Sequence, residues 1–491
     1  MFNLIFRHET RSLTRTPAFV WILGLLAAAM IFGAWAAAQS IARQEAGAQA
    51  VVVAASKQRE KMRGAVVAYE KKTAATGQAY EVAAFNHAGG AVPAGTNAGT
   101  VGSTLVSPAI LPPTGLAAFA VGQGDIQLSY IPVNSNSIIS ATRDAEIGNP
   151  VNLKRGPFDL SFVVIFLLPI FILAISYDML SSEKERGTLA MVLSHPVSLR
   201  KLMLSKVASR AMIILAVIVI AGFGALLTVG GDLGLADTWA RFGLWMVATL
   251  LYSLFWFGLA VLVNALSQNS ATNGVVLAGA WLVLVVVAPT LVSVLATTVY
   301  PAPSRFEFIT ASRVVQTQVE KDYMKALDKY FYDHAEFAPQ GAASEADFLA
   351  TSLAKNAAVE KAMTPLFNQF RGQLAKQDDM VAQVQFVSPA IMMQRVLNDA
   401  SGASAARYSG FIDQVVAYRQ VWTDHFTRRF VAQTPLRSAD YAAFPSFQYR
   451  EEAVGDLAGR SAPSILGLLA LMTAVMVGAF AALRRYQVAA R

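Results

Sequence analysis

Residues 181–206 read Ser181-Ser182-Glu183-Lys184-Glu185-Arg186-Gly187-Thr188-Leu189-Ala190-Met191-Val192-Leu193-Ser194-His195-Pro196-Val197-Ser198-Leu199-Arg200-Lys201-Leu202-Met203-Leu204-Ser205-Lys206. This polar stretch is wedged between two strongly apolar runs, residues 160–177 and 207–229. Glu183, Lys184, Glu185 and Arg186 are charges able to pair with an opposing protein surface. Gly187 and Thr188 permit a tight backbone or a helix start, and Leu189, Met191, Val192 and Leu193 supply an apolar face. His195-Pro196 then ends the helix, because the residue before a proline is pushed out of the helical region. Taken by composition alone, such a charge run is a solvated loop. Its placement between apolar runs makes it a loop of a membrane protein, open to force from a soluble partner.

The whole chain agrees with a membrane setting. It has 491 residues, is 55% hydrophobic and 15% charged, and has a mean hydropathy of +0.44. An ordinary soluble domain carries about 25% charged residues. Runs of about 20 apolar residues, enough to cross a hydrocarbon core, occur at 18–38, 160–177, 207–229, 240–265, 274–298 and 462–483. Pro169 and Pro289 lie inside the second and fifth, where a kink rather than a break is expected because neighbouring helices can satisfy the freed carbonyl. The first run ends in Ala36-Ala37-Ala38, resembling a signal-peptidase site, but it exceeds a 7–15-residue signal core. A retained anchor is expected.

The formal net charge of +8 does not point to nucleic acid, because the basic residues gather at the ends of apolar runs. Arg7, Arg11 and Arg15 precede the first run. Lys184, Arg186, Arg200, Lys201, Lys206 and Arg210 surround the quoted stretch, and Arg484, Arg485 and Arg491 follow the last run. The positive-inside rule then puts both termini and the 178–206 loop in the cytoplasm. The 230–239 connection, with Asp232 and Asp237 and no Lys or Arg, suits an outer loop. The expected fold is therefore mainly α, with six transmembrane helices and two large periplasmic regions at 39–159 and 300–461.

Residues 1–17 form an amphipathic interfacial helix, with Phe2, Ile5, Phe6 and Leu13 on one face and Arg7, Arg11 and Arg15 on the other. Glu9 falls on the apolar side and is expected to pair with a basic neighbour nearby. Up to about Thr73 the first outer region is proline-free, so the first membrane helix is expected to continue outward. Residues 88–115 are Gly- and Pro-rich loop, and Ile126-Gln127-Leu128-Ser129-Tyr130-Ile131 alternates as a strand does. The first region is therefore mixed. The second is mostly helical, with helical spacing near 308–335, 344–384, 389–399 and 403–433. Phe411, Val415, Tyr418, Trp422 and Phe426 form a stripe read as packing core.

Other chemistry is excluded by what the sequence lacks. There is no cysteine, hence no disulfide or thiolate metal site. The five histidines (His8, His87, His195, His334 and His425) lack ligand spacing, and Met392-Met393 reads as core filling. The centres of the spans carry no ionisable residues such as a proton relay needs. No Gly-x-x-x-x-Gly-Lys-Ser/Thr string occurs, so the chain is not itself an ATPase. Gly222, Gly224, Gly274 and Gly279 offer sites for close helix approach. Asn264, Asn269, Thr272 and Asn273 read as polar caps of an inner turn.

The ordered string Glu-x-Glu-x-Gly-Thr-Leu, then Leu-Ser-x-Pro-Val-Ser and a downstream Lys, resembles the loop after the second membrane helix of ABC-2-type transporter permeases. The matches are Glu183, Glu185, Gly187, Thr188, Leu189, Leu193, Ser194, Pro196, Val197, Ser198 and Lys206; Leu199 intervenes where the family often has a basic residue. Ser388-Pro389-Ala390, Ser401-Gly402, Phe411, Tyr418-Arg419 and Pro445-Ser446-Phe447 resemble a NosY-like branch with a large periplasmic insert before the last span. The resemblance implies an exporter half-transporter that pairs with a second copy or a related permease. It further implies that Glu183, Glu185, Gly187, Thr188, Leu189, Pro196, Ser198 and Lys206 dock a cytoplasmic ABC ATPase dimer. ATP and Mg would be held by that partner, and this chain would carry no cofactor. A second reading stays open, in which the chain relays ATPase motion to a periplasmic or outer-membrane partner without conducting substrate.

Overall fold

The computed structural model describes residues 2–82, 92–122, 128–136, 158–194, 198–229, 233–266, 269–302, 305–322, 332–333 and 346–486. Helix α1 (Phe2–Arg15) stops where Thr16 turns extended (φ −84°, ψ 114°) ahead of Pro17. Helix α2 (Pro17–Thr76) starts on that proline, whose missing N–H costs nothing in a first turn, and runs 60 residues to a left-handed Gly77 cap at φ 65°. At 1.5 Å per residue that is about 90 Å, so the first apolar run does continue far beyond a bilayer.

Four further helices are long and apolar enough to cross a membrane: α7 (Leu199–Val229), α8 (Ala236–Leu266), α9 (Ser270–Val299) and α14 (Val454–Arg485). Helix α4 (Leu160–Ala174) is apolar but shorter. Both α4 and α9 pass through their prolines without breaking, each by way of a π-helical turn, at Val163–Leu167 and Leu282–Val287. The wider turn makes room for the ring, and the neighbours take up the freed carbonyls. Ile165, four residues before Pro169, accepts from the Tyr252 hydroxyl at 2.9 Å, and Phe166 accepts from Trp281 Nε1 at 3.2 Å.

The spans close around α8, where Trp245, Tyr252, Trp256 and Phe257 are fully buried, and α14 packs along its length. Close approach uses glycines, among them Gly222, Gly33 and Gly467. A Cβ at Gly222 would meet the Trp245 ring at 3.0 Å, and one at Gly33 would meet the Asp159 carbonyl at 3.0 Å. Gly224 and Gly279 face open space, so only part of the expected glycine set mediates packing.

The aromatic stripe lies on α13 (Ala405–Val431), and all five of its residues are buried. They share one core with Val66 of α2, with α3 (Ala98–Thr104), and with Val359 and Met363 of α11 (Ala346–Val384). Antiparallel strands β1 (Ser107–Ile110) and β2 (Tyr130–Val133), paired Ser107 to Val133, also enter it. Parts of residues 39–159 and of 300–461 thus fold together. The strand expected over 126–131 is found at 130–133; residues 126 and 127 lie outside the described set. Helix α10 (Arg305–Lys321) packs on α11.

Helix α12 (Pro389–Ser401) belongs elsewhere than its place in sequence implies. It packs on α8 and α14, and Met392, Met393, Val396 and Leu397 are fully buried in the core of the apolar helices. Ser388 caps it, accepting from Ala390 N at 3.1 Å, and donates to the Leu284 carbonyl freed within the π turn of α9. An ionic junction surrounds its far end. Arg241, with no exposed surface, binds Asp237 at 2.7 Å and the Asp399 carbonyl at 3.1 Å, and lies 3.4 Å from Glu451. Arg407 grips both oxygens of Glu451 at 2.8 and 2.7 Å. Arg460 joins Asp399 to Glu452 at 2.8 Å each. Through these contacts the module built on the α13 core is tied to the ends of α8 and α14.

Candidate docking surface

At the opposite end from that module, the chain leaves α4 and makes two short helices, α5 (Ser181–Glu185) and α6 (Thr188–Leu193). Gly187 separates them at φ 73°, a left-handed conformation that any side chain with a Cβ resists. Thr188 donates to the Glu183 carbonyl at 3.1 Å and closes the corner. Leu189, 1% exposed, anchors α6 into the apolar core, whereas Met191 is 65% exposed. Glu185, Arg186, Gly187, Ser194, Ser198 and Arg200 are exposed as well. Ser198 Oγ accepts from Lys201 N at 3.4 Å and starts α7. Pro196 lies outside the described residues.

The eight residues singled out in the sequence therefore separate into two groups. Glu185, Gly187 and Ser198 lie on the surface. Leu189 and Lys206 are internal, with Glu183 and Thr188 half-buried between. The Lys206 ammonium, on a side chain 5% exposed, binds Glu183 Oε1 and the Met179 carbonyl at 3.0 Å and lies 3.7 Å from Glu9 Oε1. It therefore braces the segment instead of presenting a charge. Glu9 pairs across to α7, not within its own helix as its sequence neighbours implied. Arg210, one turn further, is buried with Nε and Nη1 lacking hydrogen-bond partners.

A second brace runs to the turn between α8 and α9. Asn264 Nδ2 donates to the Ser176 carbonyl at 3.0 Å, while its Oδ1 accepts from Leu180 N at 3.2 Å. Asn273 Nδ2 reaches the Tyr177 carbonyl at 3.0 Å and Ser181 Oγ at 3.2 Å. Ser181 and Ser270 hydroxyls meet at 2.8 Å, and Glu185 Oε1 accepts from Ser270 N at 2.7 Å. That last bond places a carboxylate on the N-terminus of α9, where the helix dipole favours it. Of the polar set read as caps, Asn269 does cap, accepting from Ala271 N at 2.8 Å. Asn264 and Asn273, both fully buried, instead hold the α4–α7 connection. Their placement at the polar edges of apolar runs was the sequence signal.

Helices α1 and α14 both reach this region, α1 through Glu9 and the end of α14 through Tyr486, over whose ring the Lys184 ammonium lies at 5.3 Å. The 181–193 segment is thereby linked to α1, α7, α8 and α9 by polar contacts and to the end of α14 by the Lys184–Tyr486 contact.

This fold, organised about a braced polar segment between two apolar helices, agrees with comparison to known proteins. The model of the family described as "ABC-2 family transporter protein" matches residues 4–485. The chain belongs to the ABC-2 transporter family. Two curated ABC transporter permease proteins named NosY, each described as probable, are similar to parts of this ABC-2 protein. That of Stutzerimonas stutzeri is 33% identical over 135 residues, covering 26% of this chain and 48% of that protein. That of Pseudomonas aeruginosa is 32% identical over 127 residues, 25% of this chain and 46% of that protein. The chain spans about half the length of the curated relatives it matches. With its apolar helices, the ABC-2 chain is a multi-pass membrane protein.

Proposed function

We propose that this ABC-2 permease crosses the bacterial inner membrane six times with both termini in the cytoplasm, and that it docks a separate ATPase dimer on the face made by Glu185, Arg186, Gly187, Met191, Ser194 and Ser198. The observation that carries this reading is the double brace. Lys206 ties the segment to α1 and α7, and Asn264 with Asn273 ties it to α8 and α9. A loop that only joined two spans would need neither. Paired with a second copy or a related permease, the subunit would couple ATP-driven closure to movement of its helices, with export as the direction.

The test is co-purification with the ATPase. Met191→Glu with Arg186→Glu changes exposed side chains alone, so binding should be lost while thermal stability stays at the parental value. Normal co-purification and transport by that variant would remove the docking assignment. A second reading, relay of ATPase motion to a periplasmic or outer-membrane partner, is favoured by the ionic junction that joins α8 and α14 to the outer module. Substrate uptake by inverted vesicles containing only permease and ATPase supports the exporter. ATP hydrolysis without uptake, together with remodelling of an outer partner, supports the relay.

A further inference from the structure

The N-terminal helix has a face that ATPase docking does not use. Ile5, Phe6, Glu9 and Leu13 turn toward the protein and are partly buried, whereas Leu4, Arg7, His8, Arg11 and Arg15 are exposed. Four-residue spacing places the three guanidiniums in a single row on the helix. No ion pair satisfies these arginines among the described residues. Beside them Leu4 is 70% and Phe2 36% exposed, and the apolar α2 begins at Pro17, directly beyond the row. A surface that matches this face must supply anionic oxygens with an apolar layer just beneath them. A bilayer of net negative charge does both. An acidic protein surface supplies only the first.

The other face of α1 bears Glu9, whose contact with Lys206 connects it to Glu183 of the docking segment. We propose that α1 binds anionic phospholipid headgroups through Arg7, Arg11 and Arg15, and that the Glu9–Lys206–Glu183 chain passes this binding to the docking segment. Headgroup binding holds α1 flat and keeps Glu9 over Lys206. Without it Glu9 departs, and Lys206 holds Glu183 with one fewer restraint. The consequence for transport rests on the docking reading; the binding and its relay can be measured without any ATPase.

Because the chain has no cysteine, Ser12→Cys and Ser194→Cys give two spin labels free of background. Their separation is read by pulsed electron paramagnetic resonance in nanodiscs of phosphatidylcholine alone and of phosphatidylcholine with phosphatidylglycerol. A narrow distribution is expected only with phosphatidylglycerol. Replacing Arg7, Arg11 and Arg15 together with Gln should give the broad distribution in both lipids, since each arginine near an anionic surface is worth about fivefold in affinity and three about a hundredfold. Glu9→Gln separates binding from relay: the Ser12 label should still lose mobility with phosphatidylglycerol, while the Ser194 label stops responding. Equal distributions in the two lipids overturn the proposal. So does a phosphatidylglycerol response that survives the triple substitution, or a parental Ser194 label indifferent to lipid. If the triple variant instead loses ATPase binding in neutral nanodiscs, the arginine row is a protein contact and the lipid assignment falls.

Discussion

Lys206→Met isolates the brace behind the docking face. The substitution keeps the length of the buried stem and removes the ammonium, leaving Glu183 Oε1 without a partner beside Oε2, which already has none. Removing one member of a fully buried pair costs about 3–5 kcal/mol. Here Glu183 and Glu9 keep 24% and 18% side-chain exposure and can partly rehydrate, which lowers the figure to about 2–3 kcal/mol. At about 2–4 °C per kcal/mol for a large chain, the melting temperature in detergent should fall by about 5–10 °C. The double variant Lys206→Met, Glu183→Gln should recover part of that loss, because the two residues share one interaction. An unchanged melting temperature for Lys206→Met would refute the brace, as would losses from the two substitutions that simply add.

Other consequences are independent of this one. Glu451→Ala strips two short bonds from Arg407, a residue 5% exposed; because Glu451 itself keeps 34% side-chain exposure, the cost should be about 2 kcal/mol, below that of a fully buried pair, and limited proteolysis should then cleave the module built on α13 first. Burial, with Arg429 second, holds the His425 imidazole below its usual pKa, and its Nε2 has no partner among the Phe426 and Phe444 rings. The unfolded chain therefore binds the proton better, so stability of the parental protein should fall as pH drops below about 6.5, and His425→Phe should flatten that part of a melting-temperature profile. Gly222→Leu should clash with Trp245 and destabilise, whereas Gly224→Leu, facing open space, should not; equal effects would show that the close approach is not real.

Much of this was legible in the chain because hydrophobic length and periodicity are local signals. The five long apolar helices, the continuation of α2 past the length a bilayer needs and the buried stripe on α13 follow from runs and spacing that need no tertiary knowledge. Helix α12 was read as outer because its sequence, with Gln394, Arg395 and Asp399 among its apolar residues, is too polar and too short to register as a membrane element. Only its neighbours α8 and α14 make it core. The docking string was identifiable by order, but order does not distinguish a surface residue from a buried brace. Glu183 and Glu185 are two residues apart in a one-turn helix, and one turns to Lys206 while the other turns to Ser270. Similarly, Arg241, Arg407 and Glu451 come from three distant segments, so their junction had no signature in sequence.

The most direct measurement of the central claim is the reactivity of a single cysteine at Met191 with a membrane-impermeant maleimide. In intact cells it should be unreactive. In inverted membrane vesicles it should react when the ATPase has been stripped and be protected when the ATPase is restored. Reaction from outside intact cells would invert the topology, and equal reaction in vesicles with and without the ATPase would contradict docking on this face.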